Sequence, residues 1–231
     1  MFDGRWRTRI EDGLKPVGSG LRRTGLKADH LTAIGLLVAA GAAVAIANGA
    51  LRLGLLLVIC AGLPDLLDGA LAKAAGTAGP RGAFFDSVAD RVTDALLFGG
   101  IAWYLGAKHG FHYSMLAFAV LGVSSLISYE RAKAEALGFN ARGGIMERAE
   151  RVILLCLGLL FSNVLLIPVL WIMLVLTSVT AVQRFVKVWR QASGMPTIAE
   201  SAAARRAQRA ARSRRTSRPL SARPTSRPRR R

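Results

Sequence analysis

The stretch PDLLDGALAKAAGTAGPRGAFFDSVADRVTD, residues 64–94, decides how the chain is read. It sets aspartates among residues that are mostly apolar or small. Asp65 and Asp68 are three apart, and Asp86 and Asp90 are four apart, so on helices each pair shares one face. A carboxylate inside a membrane helix is costly and normally faces a wet cavity or a partner. The short Gly/Ala-rich link predicts two antiparallel neighbouring helices, on which the four carboxylates converge. Four such charges repel one another unless cations lie between them, and oxygen-only donors favour Mg2+ or Mn2+ over zinc. A pair of such ions is a common device of phosphoryl-group chemistry. Gly69, Ala72 and Gly82 leave the backbone open to a bulky nucleotide, and Lys73 and Arg81 bring positive charge to the edge where a diphosphate would sit. Aspartate pairs near membrane ends also occur as interfacial or ion-pathway residues. The combined pattern D-x2-D-G-x2-A-K-x8-G-x3-D-x3-D is far more restrictive than a pair. Asp94 continues the i,i+4 row outside that pattern and reads as a packing carboxylate behind the cluster.

The rest of the chain places this stretch in a membrane. Of its 231 residues 52% are hydrophobic, yet the formal net charge is +18. The two facts separate along the sequence. Residues 201–231 hold twelve arginines and no acidic residue, a composition that cannot bury enough apolar surface to offset its ordering entropy. The tail 191–231 is therefore expected to be disordered. It lacks aromatic residues for base stacking, so its expected partner is anionic lipid head groups and not nucleic acid.

Apolar runs near 31–49, 53–72, 83–106, 113–136, 148–165 and 167–188 are each close to the 20 or so residues a transmembrane helix needs. Helices satisfy their own backbone in lipid. The expected fold is all-α: an integral membrane protein of six transmembrane helices over residues 29–190, preceded by an interfacial amphipathic segment at 1–28. In that segment Trp6, Leu14, Val17 and Leu21 alternate with arginines and lysines. No cleavable leader is expected, because a basic polar segment precedes the first apolar run. Cys60 and Cys156 sit in apolar runs with no ligand-like neighbours and read as core residues.

Basic residues set the orientation. The two ends, the 73–82 link and the 131–148 region are basic, whereas the opposite side has only Arg52 and Lys108. Both termini and the aspartate cluster are expected on the cytoplasmic side of the cell membrane.

The aspartate pattern closely resembles the signature of the CDP-alcohol phosphotransferase family, D-x2-D-G-x2-A-R-x8-G-x3-D-x3-D. Lys73 stands where the family has Arg, which keeps the charge and loses the bidentate fork. The resemblance covers residues 20–190 and implies six transmembrane helices, a homodimer, and transfer of a phosphatidyl group from a CDP-linked lipid to an alcohol with release of CMP. It implies two divalent ions, Mg2+ or Mn2+, on Asp65, Asp68, Asp86 and Asp90, with Asp90 also the general base. KADHLT, residues 27–32, resembles the family's nucleotide-side element T-P-[DN]-x-x-T and adds Asp29 and Thr32 to Gly69, Ala72, Lys73 and Gly82. SYERAKAEALGFNARGGIMERAERVI, residues 128–153, resembles the branch that joins CDP-diacylglycerol to inositol phosphate. A phosphomonoester acceptor needs a cationic pocket, and the resemblance assigns Arg131, Lys133, Arg151 and Arg184 to it, with Ser128 as a hydroxyl partner beside them. Glu147 and Arg148, in the same ERAER run, read as structural ion pairs. Two alternatives stand beside this reading: glycerol phosphate as the acceptor, giving phosphatidylglycerophosphate, and, in another class, a transporter with intramembrane carboxylates. The aspartates cluster near one membrane face and not at the midplane where transporters place their sites, which favours the enzyme.

Overall fold

The computed structural model describes residues 28–62, 79–141, 143–161 and 164–194. Asp65, Asp68, Gly69, Ala72 and Lys73, the N-terminal segment and most of the basic tail lie outside them. Among the described residues the fold is all-helical, with six helices and no strand. They are α1 (Ala28–Ala47), α2 (Leu51–Gly62), α3 (Pro80–His109), α4 (Phe111–Ala136), α5 (Arg148–Leu160) and α6 (Leu166–Ser193). The chain parts into two compact units, residues 1–188 and 189–231. The described part of the second unit is the last turns of α6, where the Ser193 hydroxyl donates to the Trp189 carbonyl at 2.9 Å.

Local sequence sets the helix ends. After α1, Gly49 takes φ +80°, its N–H reaches the Ile46 carbonyl, and the Ala50 N–H reaches Ala45. That pair of bonds is a Schellman stop, which favours glycine at the left-handed position. The same arrangement ends α4, where Gly138 bonds to Glu135 and Phe139 to Ala134. Pro80 opens α3 behind Gly79, the position where its missing N–H costs nothing. Glu147 and Glu150 form a reciprocal capping box at the start of α5.

Three helices, from Asp29 to Ala47, Phe111 to Ala136 and Leu166 to Ser193, are long and apolar enough to cross a membrane. At 30 residues α3 has ample length, about 45 Å at 1.5 Å per residue. Its first four turns, however, carry Arg81, Asp86, Asp90, Arg91 and Asp94, which dilute its hydropathy. The described part of α2 and all of α5 are shorter than a full span.

The core joins all six helices through residues such as Ile46, Val58, Ile101, Val120, Leu159 and Met173. Large apolar side chains also cover the outside, among them Leu37, Trp103, Val164 and Trp171. Apolar surface both inside and outside is what lipid tolerates and water does not. The helix α3 packs against α1 and α4. A Cβ placed on Gly100 would lie 2.5 Å from the Ala43 carbonyl oxygen, so glycine here sets how closely α1 and α3 approach. Gly100→Val should destabilise the protein by about 1–3 kcal/mol through overpacking, read as a lower melting temperature in detergent. An unchanged melting temperature would mean that α1 and α3 do not meet at this point. At the far end of α3, the Ser114 hydroxyl of α4 donates to the Ala102 carbonyl at 2.8 Å.

The helices alternate in direction. Asp29 meets Arg81 and Ala43 meets Gly100, so α1 and α3 run parallel. Arg91 meets Ser128 and Ala102 meets Ser114, so α3 and α4 run antiparallel. Asp90 meets Arg148 and Asp94 meets Arg151, so α3 and α5 run parallel. The starts of α1, α3 and α5 therefore gather at one end of the bundle with the later turns of α4 and, at Arg184, with α6. At the opposite end a cavity of about 790 Å3 is lined by Arg52, Tyr104, Lys108, Phe161 and mostly apolar neighbours. The Lys108 ammonium there donates to the Tyr104 hydroxyl at 2.9 Å.

Candidate active site

The row predicted on α3 is present. Asp86, Asp90 and Asp94 follow one another at intervals of four on one helix, and they become more buried with depth. Asp86 and Asp90 are partly buried, while Asp94 keeps 7% of its surface. Around them stand arginines from two helices. Arg148 Nη1 of α5 lies 2.8 Å from Asp90 Oδ1. Arg151 Nη2, one turn later, donates to Asp94 Oδ2 at 3.4 Å. Arg91 Nη2 sits between the two carboxylates, 3.8 Å from Asp90 Oδ2 and 3.9 Å from Asp94 Oδ2. Arg91 Nη1 donates to the Ser128 hydroxyl of α4, which in turn donates to the Ser124 carbonyl at 3.0 Å. Three guanidiniums thus share two carboxylates at the meeting of α3, α4 and α5.

Arg184 comes from α6 and is 5% exposed. Its Nε donates to the Gly143 carbonyl at 2.9 Å, Nη1 to the Ile127 carbonyl at 3.3 Å, and Nη2 to Glu147 Oε1 at 3.3 Å. A second bond joins the same elements: the Met146 N–H donates to Thr180 Oγ1 at 3.0 Å. Arg184 therefore ties α6 to the end of α4 and to the connection that leads into α5. Arg131 pairs with Glu135 at 3.1 Å on the exposed face of α4, one turn along, and lies within electrostatic reach of Arg184. Lys133 is exposed. On the nucleotide side, Asp29 stands 3.7 Å from Arg81 in a largely solvent-exposed pair, of the kind worth less than about 1 kcal/mol. Thr32 is partly buried on the same face of α1. Among the described residues, a Cβ on Gly82 would meet nothing within 4 Å.

The structure thus gathers Asp86, Asp90, Ser128, Arg151 and Arg184 at one end of the bundle and places Arg131 and Lys133 on its exposed rim. Glu147 and Arg148 do form ion pairs, as the ERAER run leads one to expect, but with Arg184 and Asp90 and not with each other. Sequence reading did not single out Arg91. The signal was available: an arginine three residues from an aspartate inside a membrane helix needs a partner.

The donor chemistry fits a hard divalent cation. Asp86 and Asp90 offer only oxygen to such an ion. Among the described residues no three His, Cys, Asp or Glu side chains converge. The other two carboxylates of the pattern, Asp65 and Asp68, lie outside the described residues.

Residues 26–183 match the family model described as CDP-alcohol phosphatidyltransferase. The chain belongs to this family and is a transferase of phospholipid biosynthesis, which disposes of the transporter alternative. It is 36% identical over 201 residues to the phosphatidylinositol phosphate synthase of Mycobacterium marinum, covering 82% of this chain and 85% of that protein. Among solved structures it is similar to the phosphatidylinositol phosphate synthase of Mycobacterium tuberculosis with CDP-DAG bound. That match has a TM-score of 0.72 and 32% identity, over 76% of this chain and 93% of the other. The same Mycobacterium tuberculosis enzyme in complex with manganese and citrate matches with a TM-score of 0.71 and 33% identity, over 76% and 88% of the two chains.

Proposed function

We propose that the chain transfers the phosphatidyl group of CDP-diacylglycerol to inositol phosphate, giving phosphatidylinositol phosphate and CMP. An acceptor hydroxyl oxygen bonds to the phosphorus that carries diacylglycerol. The bond from that phosphorus to the CMP oxygen breaks, and the hydroxyl proton passes to Asp90. Two divalent ions, Mg2+ or Mn2+, held by Asp65, Asp68, Asp86 and Asp90, would supply charge neutralisation at the diphosphate and at the attacking oxygen. Asp29, Thr32, Gly69, Ala72, Lys73 and Gly82 form the nucleotide side. Arg151 and Arg184, with Ser128, Arg131 and Lys133, form the acceptor side. The reaction takes place in a homodimer of six-span subunits, at the cytoplasmic face of the cell membrane.

One observation carries this reading: a carboxylate row on α3 meets Arg148 at 2.8 Å and Arg151 at 3.4 Å from one neighbouring helix. A base and several guanidinium groups then stand side by side, as an alcohol with a phosphate on it requires. The manganese-bound relative and the CDP-DAG-bound relative support the metal and the donor. The scarcity of basic residues at the opposite end, Arg52 and Lys108, supports the orientation.

The test is CMP release by purified protein given CDP-diacylglycerol, Mg2+ and one acceptor at a time. Turnover is expected with inositol phosphate, and chelation by EDTA should abolish it. Turnover with glycerol phosphate alone would make the product phosphatidylglycerophosphate and overturn the acceptor assignment. Turnover that survives EDTA would remove the divalent ions from the mechanism.

A further inference from the structure

The buried carboxylate of Asp94 lies outside the family pattern, one helical turn beyond Asp90. We propose that Asp94 is a positioning residue for the acceptor: it holds Arg151, and with it Arg91, in the orientation that receives the acceptor's phosphate. This rests on the functional reading above.

Arg91 and Arg148 both lie within electrostatic reach of Arg151. Like charges this close splay apart unless a fixed anion sits between them. Asp90 faces Arg148 and Arg91, and Asp94 faces Arg151 and Arg91. Asp94 is one turn deeper than Asp90, so it anchors Arg151 from below. Arg151 is 4% exposed and Asp94 7% exposed, so water contributes little to holding either group. Arg91 is fixed from a second direction by Ser128, whose hydroxyl is itself fixed by the Ser124 carbonyl. The result is a set of guanidiniums that cannot swing independently of the two carboxylates.

Simple Coulomb attraction predicts the opposite outcome. A carboxylate near an anion site weakens anion binding, so its removal should strengthen it. If Asp94 instead holds the arginines in place, its removal weakens binding, because a displaced guanidinium no longer meets phosphate with two parallel hydrogen bonds. The sign of one measurement separates the two.

The measurement is the kinetics of Asp94→Asn in the full-length protein, with CDP-diacylglycerol and acceptor varied separately. The KM for inositol phosphate should rise on the order of ten- to a hundredfold, the scale of a misplacement of about 1 Å. The KM for CDP-diacylglycerol should stay within about twofold, because uniform binding of the donor is untouched. Asp94→Glu keeps the charge and should recover part of the loss. The half-saturating concentration of inositol phosphate for raising the melting temperature in detergent should shift in parallel with KM, without turnover being needed. A lower acceptor KM in Asp94→Asn would overturn the proposal, as would equal rises in both KM values, the mark of a merely structural carboxylate. If Asp94→Asn does not fold, Arg151→Lys, which keeps the charge and loses the fork, must show the same selective rise. The wild-type assay separates this from the functional reading. Wild-type turnover with glycerol phosphate alone would sink the acceptor assignment, and the Asp94 variants would then be read on that phosphomonoester. Wild-type turnover on free inositol with a KM equal to that of inositol phosphate would sink both.

Discussion

Asp90→Asn is expected to lower the rate of CMP release by about 10²–10⁴-fold, the range that a positioned general base contributes. The fold should survive the change. The Asp90 side chain is 20% exposed, and its partner Arg148 is 26% exposed. The pair is therefore wet enough that losing its charge costs up to about 1 kcal/mol. On a chain of this size that is a melting shift of about 2–4 °C. Asparagine keeps an oxygen in place for the Arg148 hydrogen bond at 2.8 Å. Loss of activity without loss of fold is thus the predicted signature. Titrating Mg2+ then separates the two roles given to this residue. If Asp90 served only as a metal ligand, raising Mg2+ should restore most of the rate by mass action. If it also takes the hydroxyl proton, saturation with Mg2+ should leave the rate low. Activity within tenfold of wild type at ordinary Mg2+ would remove Asp90 from the chemistry altogether.

The part of this site on α3 was legible because helix periodicity alone places it. Aspartates at intervals of four must share a face wherever the helix points. The helix stops also have local causes, although the expected spans were drawn from apolar runs alone. Gly49, the Gly79–Pro80 pair, Gly110 and Gly138 each mark a local backbone event that needs no tertiary contact. The ends nevertheless moved: α3 starts at Pro80 and not near 83, and α5 stops at Leu160 and not near 165. What the sequence did not disclose is the pairing across helices. In a membrane bundle the lipid-facing and core-facing surfaces are both apolar, so hydrophobic periodicity does not say which side of α4 or α5 meets α3. Ser128, Arg131, Lys133, Arg151 and Arg184 appear as one basic acceptor group in the sequence. In the structure they divide. Arg151 sits beside the aspartate row, Ser128 supports Arg91, Arg131 lies on the rim with Glu135, and Arg184 fastens a connection.

That last placement carries the largest stability effect. Arg184→Met should destabilise the protein by on the order of 3 kcal/mol, since hydrogen bonds to charged groups contribute roughly 1.5–3 kcal/mol each. The figure counts the two carbonyl bonds, to Gly143 and Ile127, in full. It discounts the bond to Glu147, whose side chain is 48% exposed and regains water. The expected melting shift is about 6–12 °C downward. The effect should not stop at stability. The connection that Arg184 ties down leads directly into the capping box at Glu147 and then to Arg148 and Arg151. A looser start of α5 weakens the contacts at 2.8 Å to Asp90 and 3.4 Å to Asp94 together. Arg184→Met should therefore raise the acceptor KM and lower kcat along with the melting temperature. Arg184→Lys keeps the charge, but one ammonium cannot reach three acceptors set around a planar fork. It should fall between wild type and Arg184→Met in all three measures. A different pattern would assign the residue differently. If Arg184→Lys keeps the wild-type melting temperature and still loses acceptor affinity, the guanidinium acts by touching the acceptor's phosphate, and its bonds to the protein only hold it ready.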